Sequence, residues 1–203
     1  MKCFLVAVGC LGCLCPLIAA ENKDGVSVDS AWMENFKTGE RELSVGGVAL
    51  FSPCLRLERR PAINYAGPVV RLGYMLSDAE DHGAWSGNFE GLVEGYATTI
   101  FKGQGDYMAG TTLWIRYNFL PDWKVTPYFQ GGAGLTFTDV DRNVLGQTFN
   151  FNLNLALGVR YFINPRCSVN AEYRYQHVSN AGMSDVNLGV DAQGGMLSVS
   201  WFY

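Results

Sequence analysis

Residues 148–163, TFNFNLNLALGVRYFI, alternate so regularly that they must be extended chain. Counted in twos, Phe149, Phe151, Leu153, Leu155, Leu157, Val159, Tyr161 and Ile163 fall on one side. Thr148, Asn150, Asn152, Asn154, Ala156, Gly158 and Arg160 fall on the other. Asparagine is a poor strand former, so its recurrence at every second position marks a polar face that is nonetheless enclosed. The segment also far exceeds the ~5–6 residues usual for a strand.

The pattern recurs. Strand-length segments at 44–57, 65–77, 86–101, 107–120, 125–138, 148–163, 167–180 and 194–203 are separated by turn signals. In 111–119, Leu113, Ile115, Tyr117 and Phe119 oppose Thr112, Trp114, Arg116 and Asn118. In 70–76, Val70, Leu72, Tyr74 and Leu76 oppose Arg71, Gly73 and Met75. A soluble antiparallel sheet also alternates, with its apolar side on a core. A membrane barrel alternates the other way, apolar out and polar in, with strands of about ten residues or more. The long strands, the lack of an amphipathic helix to cover an open sheet and the aromatic last strand favour the barrel. Leu197, Val199, Trp201 and Tyr203 alternate with serines there, an ending that resembles the insertion signal of bacterial outer-membrane barrels. Tyr107, Tyr117, Phe119, Trp123, Tyr161, Tyr173, Trp201 and Tyr203 fall near expected strand ends, as interfacial girdles do. The expected fold is therefore all-β, an eight-stranded antiparallel transmembrane β-barrel of the outer-membrane type.

Residues 1–20 read as a signal peptide: Lys2, then an apolar core, then Ala19-Ala20 before the polar ENKDG. Four of six cysteines lie in it, leaving Cys54 and Cys167. These fall on non-adjacent strands, so no disulfide is expected. Residues 21–43 form an N-terminal segment of uncertain role. Residues 26–32 have strand composition and 36–41 read as a polar turn. The barrel is expected over 44–203. The formal charge is −4 and no basic patch stands out, which argues against a nucleic-acid partner.

An even-stranded barrel has both termini on one side, the periplasm. The short turns at 121–124 and 164–166 then face the periplasm, and 139–147 and 181–193 are extracellular loops. Strand 167–180 runs outward. Val169, Ala171, Tyr173, Tyr175, His177 and Ser179 share its lipid-facing side, and Asn170, Glu172, Arg174 and Gln176 point inward. Parity and direction alone place His177 and Ser179 at the height of the outer leaflet. His82, the other histidine, reads as a solvated loop residue.

A serine hydroxyl needs a base within reach. Residues i and i+2 of a strand project the same way, roughly 6.5–7 Å apart, so His177 can serve Ser179 if the side chains lean together. The base needs an acid to hold its tautomer, and Asp185 and Asp191 follow in the expected loop. The tetrahedral intermediate needs donors, which the Asn180 amide and the backbone around Ala181-Gly182 can supply. Bare H-x-S is also an ordinary polar rim, so the residues alone leave a non-catalytic barrel open.

His177-Val178-Ser179-Asn180-Ala181-Gly182, followed by Asn187-Leu188-Gly189-Val190-Asp191 and the terminal strand, resembles the lipid A 3-O-deacylase (PagL-like) family, with its H-x-S-N-A-G and N-P-G-x-E motifs. Gly131-Gly132-Ala133-Gly134-Leu135 with Thr138-Asp139 resembles the family's upstream glycine-rich strand. The resemblance covers the last third to half of the chain. It implies hydrolysis of the acyl ester at position 3 of lipid A, with Ser179 as nucleophile, His177 as base, Asp191 as orienting acid, and Asn180 with Gly182 as oxyanion hole. It implies no metal and no cofactor. The partners would be lipid A or lipopolysaccharide in the outer leaflet and the outer membrane itself, with a homodimer left open as an assembly. Two positions depart from the family: Asp191 replaces a glutamate, and Leu188 a proline. The alternatives are a non-enzymatic structural or adhesive barrel, and a phospholipase or acyltransferase using the same pair.

Overall fold

The computed structural model describes residues 31–52, 62–80, 83–120 and 125–203. The expected leader, Cys54, His82 and Trp123 lie outside these residues. The strands are β1 (Arg41–Phe51), β2 (Asn64–Met75), β3 (Gly87–Lys102), β4 (Tyr107–Phe119), β5 (Val125–Thr138), β6 (Phe149–Asn164), β7 (Cys167–Ser179) and β8 (Val190–Phe202). Each pairs antiparallel with its sequence neighbour, and β1 pairs with β8 to close an eight-stranded barrel. At the seam Arg41 N–H donates to the Tyr203 carbonyl at 3.2 Å and Tyr203 N–H to the Arg41 carbonyl at 3.1 Å.

Side chains divide as the alternation predicts. Leu113 (66 % exposed), Leu153, Leu155, Leu157 and Leu197 stand outward from the wall. Such a continuous apolar belt is far larger than a water-soluble monomer exposes. Toward the end that carries the termini, Phe89, Tyr117 and Phe119 pack edge to face. Toward the other end Phe51 meets Phe101, and Phe137, Phe149 and Phe151 form a row. These two girdles bound the apolar belt, as expected for a barrel in a bilayer. Tyr173 falls in the middle of β7 rather than at its end.

The interior is filled in layers. Four arginines (Arg71, Arg116, Arg160, Arg174) and four glutamates (Glu42, Glu90, Glu94, Glu172) are buried inside. Burying so many charges is tolerable only when they are paired and hydrogen-bonded. Glu94 takes Arg174 Nη1 and Nη2 at 2.9 and 2.7 Å and Arg71 Nε at 2.6 Å. A second cluster joins Glu42 to Arg160 at 2.5 Å and to Arg116 at 3.3 Å. Trp114 packs against the first cluster, with the Arg71 and Arg174 guanidinium carbons 5.5 and 4.8 Å from its ring. Beyond the charges, toward the far end, Val48, Leu50, Met108, Val178, Val190 and Met196 form an inward-facing apolar layer. The barrel is packed with side chains, as its strand number allows.

Part of the segment with no assigned role closes the termini end. Ala31–Phe36 is a 3₁₀ helix. Trp32 and Phe36, which the sequence suggested for a strand and a polar turn, are buried against Met75, Leu120, Phe162 and Phe202. The Trp32 ring stacks on Phe162 at 5.3 Å between centroids. The Asn35 amide donates to the Trp32 carbonyl at 2.9 Å and to the Pro165 carbonyl at 2.5 Å. β1 begins at Arg41 rather than 44, and β8 at Val190 rather than 194. The Gly194-Gly195 pair, read as the entry to the last strand, lies inside it. A Cβ on Gly194 would come within 2.0 Å of the Ala49 carbonyl oxygen, so glycine here lets β1 and β8 approach closely.

Candidate active site

β7 ends at Ser179, and the chain turns through Asn180, Ala181 (φ 53°) and Gly182 (φ 80°). Positive φ at Ala181 is uncommon for a residue with a Cβ, so the turn must be held from outside. The buried Asn180 side chain holds it. Its amide donates to the Leu145 carbonyl at 2.9 Å and to the Val186 carbonyl at 2.8 Å, while its Oδ1 accepts the Gly182 N–H at 2.9 Å. The Asn180 N–H donates to Asn187 Oδ1 at 3.1 Å.

The Leu145 carbonyl belongs to a short helix, α1 (Arg142–Leu145), in the loop between β5 and β6. Asp141 caps its start by accepting the Asn143 N–H at 2.7 Å. Gly146 ends it in the left-handed region at φ 72°. Val144 and Leu145 are buried in the apolar layer of the barrel mouth. The Val144 carbonyl accepts the Leu188 N–H at 2.8 Å, so α1 is bonded to the loop after β7 at two points. A Cβ on Gly146 would lie 2.4 Å from both Ser184 Oγ and the Val186 carbonyl oxygen.

β7 pairs with β8 so that His177 is directly opposite Asp191. His177 Nδ1 and Asp191 Oδ1 are 2.7 Å apart. The His177 side chain is 27 % exposed and that of Asp191 3 %. Bonding through Nδ1 points the other ring nitrogen, Nε2, away from the acid. Ser179 projects on the same side of β7, one pleat nearer the loop and half-buried, opposite Phe151 of β6. The Tyr175 hydroxyl, one pleat the other way, donates to the same Asp191 Oδ1 at 2.7 Å.

The expected site residues are therefore brought to one rim of the wall, with changes in detail. Asp191 is on strand β8, not in a loop, because the strand starts four residues early. Asp185, the other acid considered, is exposed on the loop. Asn180 and Gly182, expected as oxyanion donors, are engaged within the turn by the bonds just given. A bound oxyanion must take the Gly182 N–H from Asn180 Oδ1 or use the Ala181 N–H, which has no partner among the described residues. The sequence reading overlooked Tyr175 as a partner of the acid, although its i, i+2, i+4 spacing with His177 and Ser179 was visible. It also overlooked α1, too short to show a periodicity. Among the described residues, no group of three or more His, Cys, Asp or Glu side chains is placed to hold a metal ion.

The family model for lipid A 3-O-deacylase (PagL) matches residues 69–200. Among solved structures, the outer membrane enzyme PagL aligns with a TM-score of 0.53 at 19 % identity, covering 77 % of this chain and 97 % of its own. Neisserial surface protein A aligns with a TM-score of 0.55, also at 19 % identity, covering 81 % and 97 %. No curated protein matches. The two structures share the barrel, whereas the family match spans β2 to β8 and contains His177, Ser179 and Asp191. This chain belongs to the lipid A 3-O-deacylase (PagL) family and is a closed barrel of the bacterial outer membrane.

Proposed function

We propose that the chain is an outer-membrane serine esterase that hydrolyses the 3-O-linked acyl chain of lipid A. The observation that carries this reading is the His177–Asp191 bond, set by strand register on the lipid-facing wall, with Ser179 one pleat away. Outer-membrane barrels carry short periplasmic turns and longer extracellular loops. The rim that bears Ser179 is then level with the outer leaflet, where acyl esters approach sideways from the lipid.

In the proposed reaction His177 Nε2 takes the hydroxyl proton of Ser179 as Oγ attacks the ester carbonyl carbon. Asp191 holds the imidazole and stabilises its cationic form. The negative oxygen of the tetrahedral intermediate is met by the Ala181 and Gly182 N–H groups, with Asn180 fixing the turn that presents them. Collapse breaks the ester C–O bond. The proton on His177 goes to the departing sugar oxygen, which leaves as a free 3-hydroxyl. Water, deprotonated by the same imidazole, then attacks the acyl-serine. This step releases the fatty acid and restores Ser179. The chain's own residues supply every proton transfer, so no cofactor is proposed.

A structural or adhesive barrel is the second reading, and the comparable likeness in fold to Neisserial surface protein A is what favours it. Mass spectrometry of lipid A from cells expressing the wild type or Ser179→Ala decides between them. Loss of one hydroxyacyl chain with the wild type alone supports the esterase. Unchanged lipid A in both, with the protein confirmed in the outer membrane, rejects it. Transfer of the chain to an acceptor, instead of its release, identifies an acyltransferase.

A further inference from the structure

We propose that Tyr175 is a positioning residue for the catalytic acid, holding the Asp191 carboxylate so that its Oδ1 faces the imidazole of His177. This inference rests on the esterase reading and adds a fourth side chain to the site.

Asp191 presents an acid on the lipid-facing side of a membrane barrel, where an ionised carboxylate is costly unless donors surround it. Two donors converge on one oxygen. His177 comes from directly across the β7–β8 ladder, and Tyr175 reaches diagonally from two residues back along β7. Both distances are 2.7 Å. Diagonal cross-strand neighbours are within reach of an aromatic side chain, and the rigid ring makes the hydroxyl a well-defined anchor. Gln193, which sits opposite Tyr175 in the register, instead accepts the Tyr173 hydroxyl. Tyrosine side chains on β7 therefore engage successive outward residues of β8, and the tyrosine nearest the rim serves the acid.

Facing His177 from β6 is Leu153, which can neither donate nor accept. Asp185 is exposed on the loop. A short acid straight across from the base can bond it without a bend, but its carboxylate can still rotate about its last torsion. A second donor on the bonding oxygen opposes that rotation. Tyr175 touches neither the ester nor Ser179 in this scheme and acts only through Asp191.

The test compares wild type with Tyr175→Phe, which removes one oxygen and keeps the ring. The first readout needs no lipid: the His177 Nδ1 proton resonance of the full-length barrel in detergent micelles, assigned by its loss in His177→Ala. The chain has two histidines, so the assignment is direct. In Tyr175→Phe the resonance should be displaced or broadened. The second readout is deacylation kinetics, where kcat should fall several-fold with KM unchanged. A resonance unchanged in position and width overturns the inference, as does a fall confined to KM. If the resonance moves but neither protein cleaves lipid A, the coupling of Tyr175 to the Asp191–His177 pair stands and the esterase reading fails.

Discussion

Arg71 and Glu172 lie 101 residues apart in sequence and meet inside the barrel as a two-pronged ion pair, Nη1 to Oε2 at 2.8 Å and Nη2 to Oε1 at 3.0 Å. The pair is sealed from water, and Glu172 also accepts from the Tyr128 hydroxyl and the Gln130 amide. Removing Arg71 leaves Glu172 and Glu94 to share the single Arg174 guanidinium, an excess of negative charge in a dry interior. Arg71→Met should therefore destabilise the barrel by about 3–5 kcal/mol. The double variant Arg71→Met/Glu172→Met should lose less than Arg71→Met alone. Urea unfolding from detergent or lipid, followed by tryptophan fluorescence, measures both.

The outer wall gives the opposite kind of test. Leu155 stands outward near the middle of β6 and is 53 % exposed to what surrounds the barrel. If that is hydrocarbon, Leu155→Arg should cost about 2–4 kcal/mol. Unfolding in lipid vesicles reads the loss, and equal stability of the two proteins there would contradict the assignment of that face to the bilayer.

At the site, Asp191→Asn keeps the size of the side chain and removes the charge that stabilises the imidazolium. Deacylation should fall by about two to four orders of magnitude. The thermal midpoint should move little, because the change is confined to the rim. A folded Asp191→Asn barrel with near wild-type kcat would remove Asp191 from the proposed triad.

The loop after β7 depends on α1. Gly146→Val would drive its Cβ into Ser184 and the Val186 carbonyl and force a non-glycine residue to φ 72°. Asn180→Ala would free the Leu145 and Val186 carbonyls. Both variants should lose most deacylase activity while the strands stay paired. Hydrogen exchange resolves the two effects: faster exchange over 180–189 and no change in β2 to β4.

Asp139, just beyond β5, offers a pH test away from the chemistry. The N–H groups of Tyr107 and Asp106 donate to its carboxylate at 3.0 and 2.9 Å and hold its pKa below the ordinary aspartate value. A depressed folded pKa contributes order that is present above the unfolded value of about 3.9. That order is lost as pH falls through the folded value. The amides of Asp106 and Tyr107 should lose protection on acidification in the wild type. In Asp139→Asn their protection should not depend on pH over that range.

The wall of this barrel was legible in the sequence because a strand in a bilayer must obey a period of two at nearly every residue. Alternate residues from Phe149 to Ile163 are assigned to the lipid side by counting, and His177 and Ser179 follow by the same parity. Long-range pairing was not legible. Which arginine meets which glutamate depends on registers summed around the ring, and no local pattern encodes the meeting of Arg71 with Glu172. Asp191 falls in a loop when the last strand is begun at 194, and no local pattern marks its true start at Val190; glycine at 194 serves the close approach of β1. Trp32 and Phe36 lie on a six-residue 3₁₀ helix, too short to show a period. Asn180 was chosen for its amide, and the structure spends that amide on neighbouring carbonyls.

The short helix at Ala31–Phe36 bears on how the barrel is held closed. Its contacts come from the ends of other strands: Met75 of β2, Phe162 of β6, Phe202 of β8, and the Pro165 carbonyl in the turn between β6 and β7. These partners are spread around the ring, and Phe202 lies on the strand that pairs with β1. The helix therefore straps the β1–β8 seam at the end that carries the termini, so that parting the seam would also uncover the aromatic face of Trp32 and Phe36.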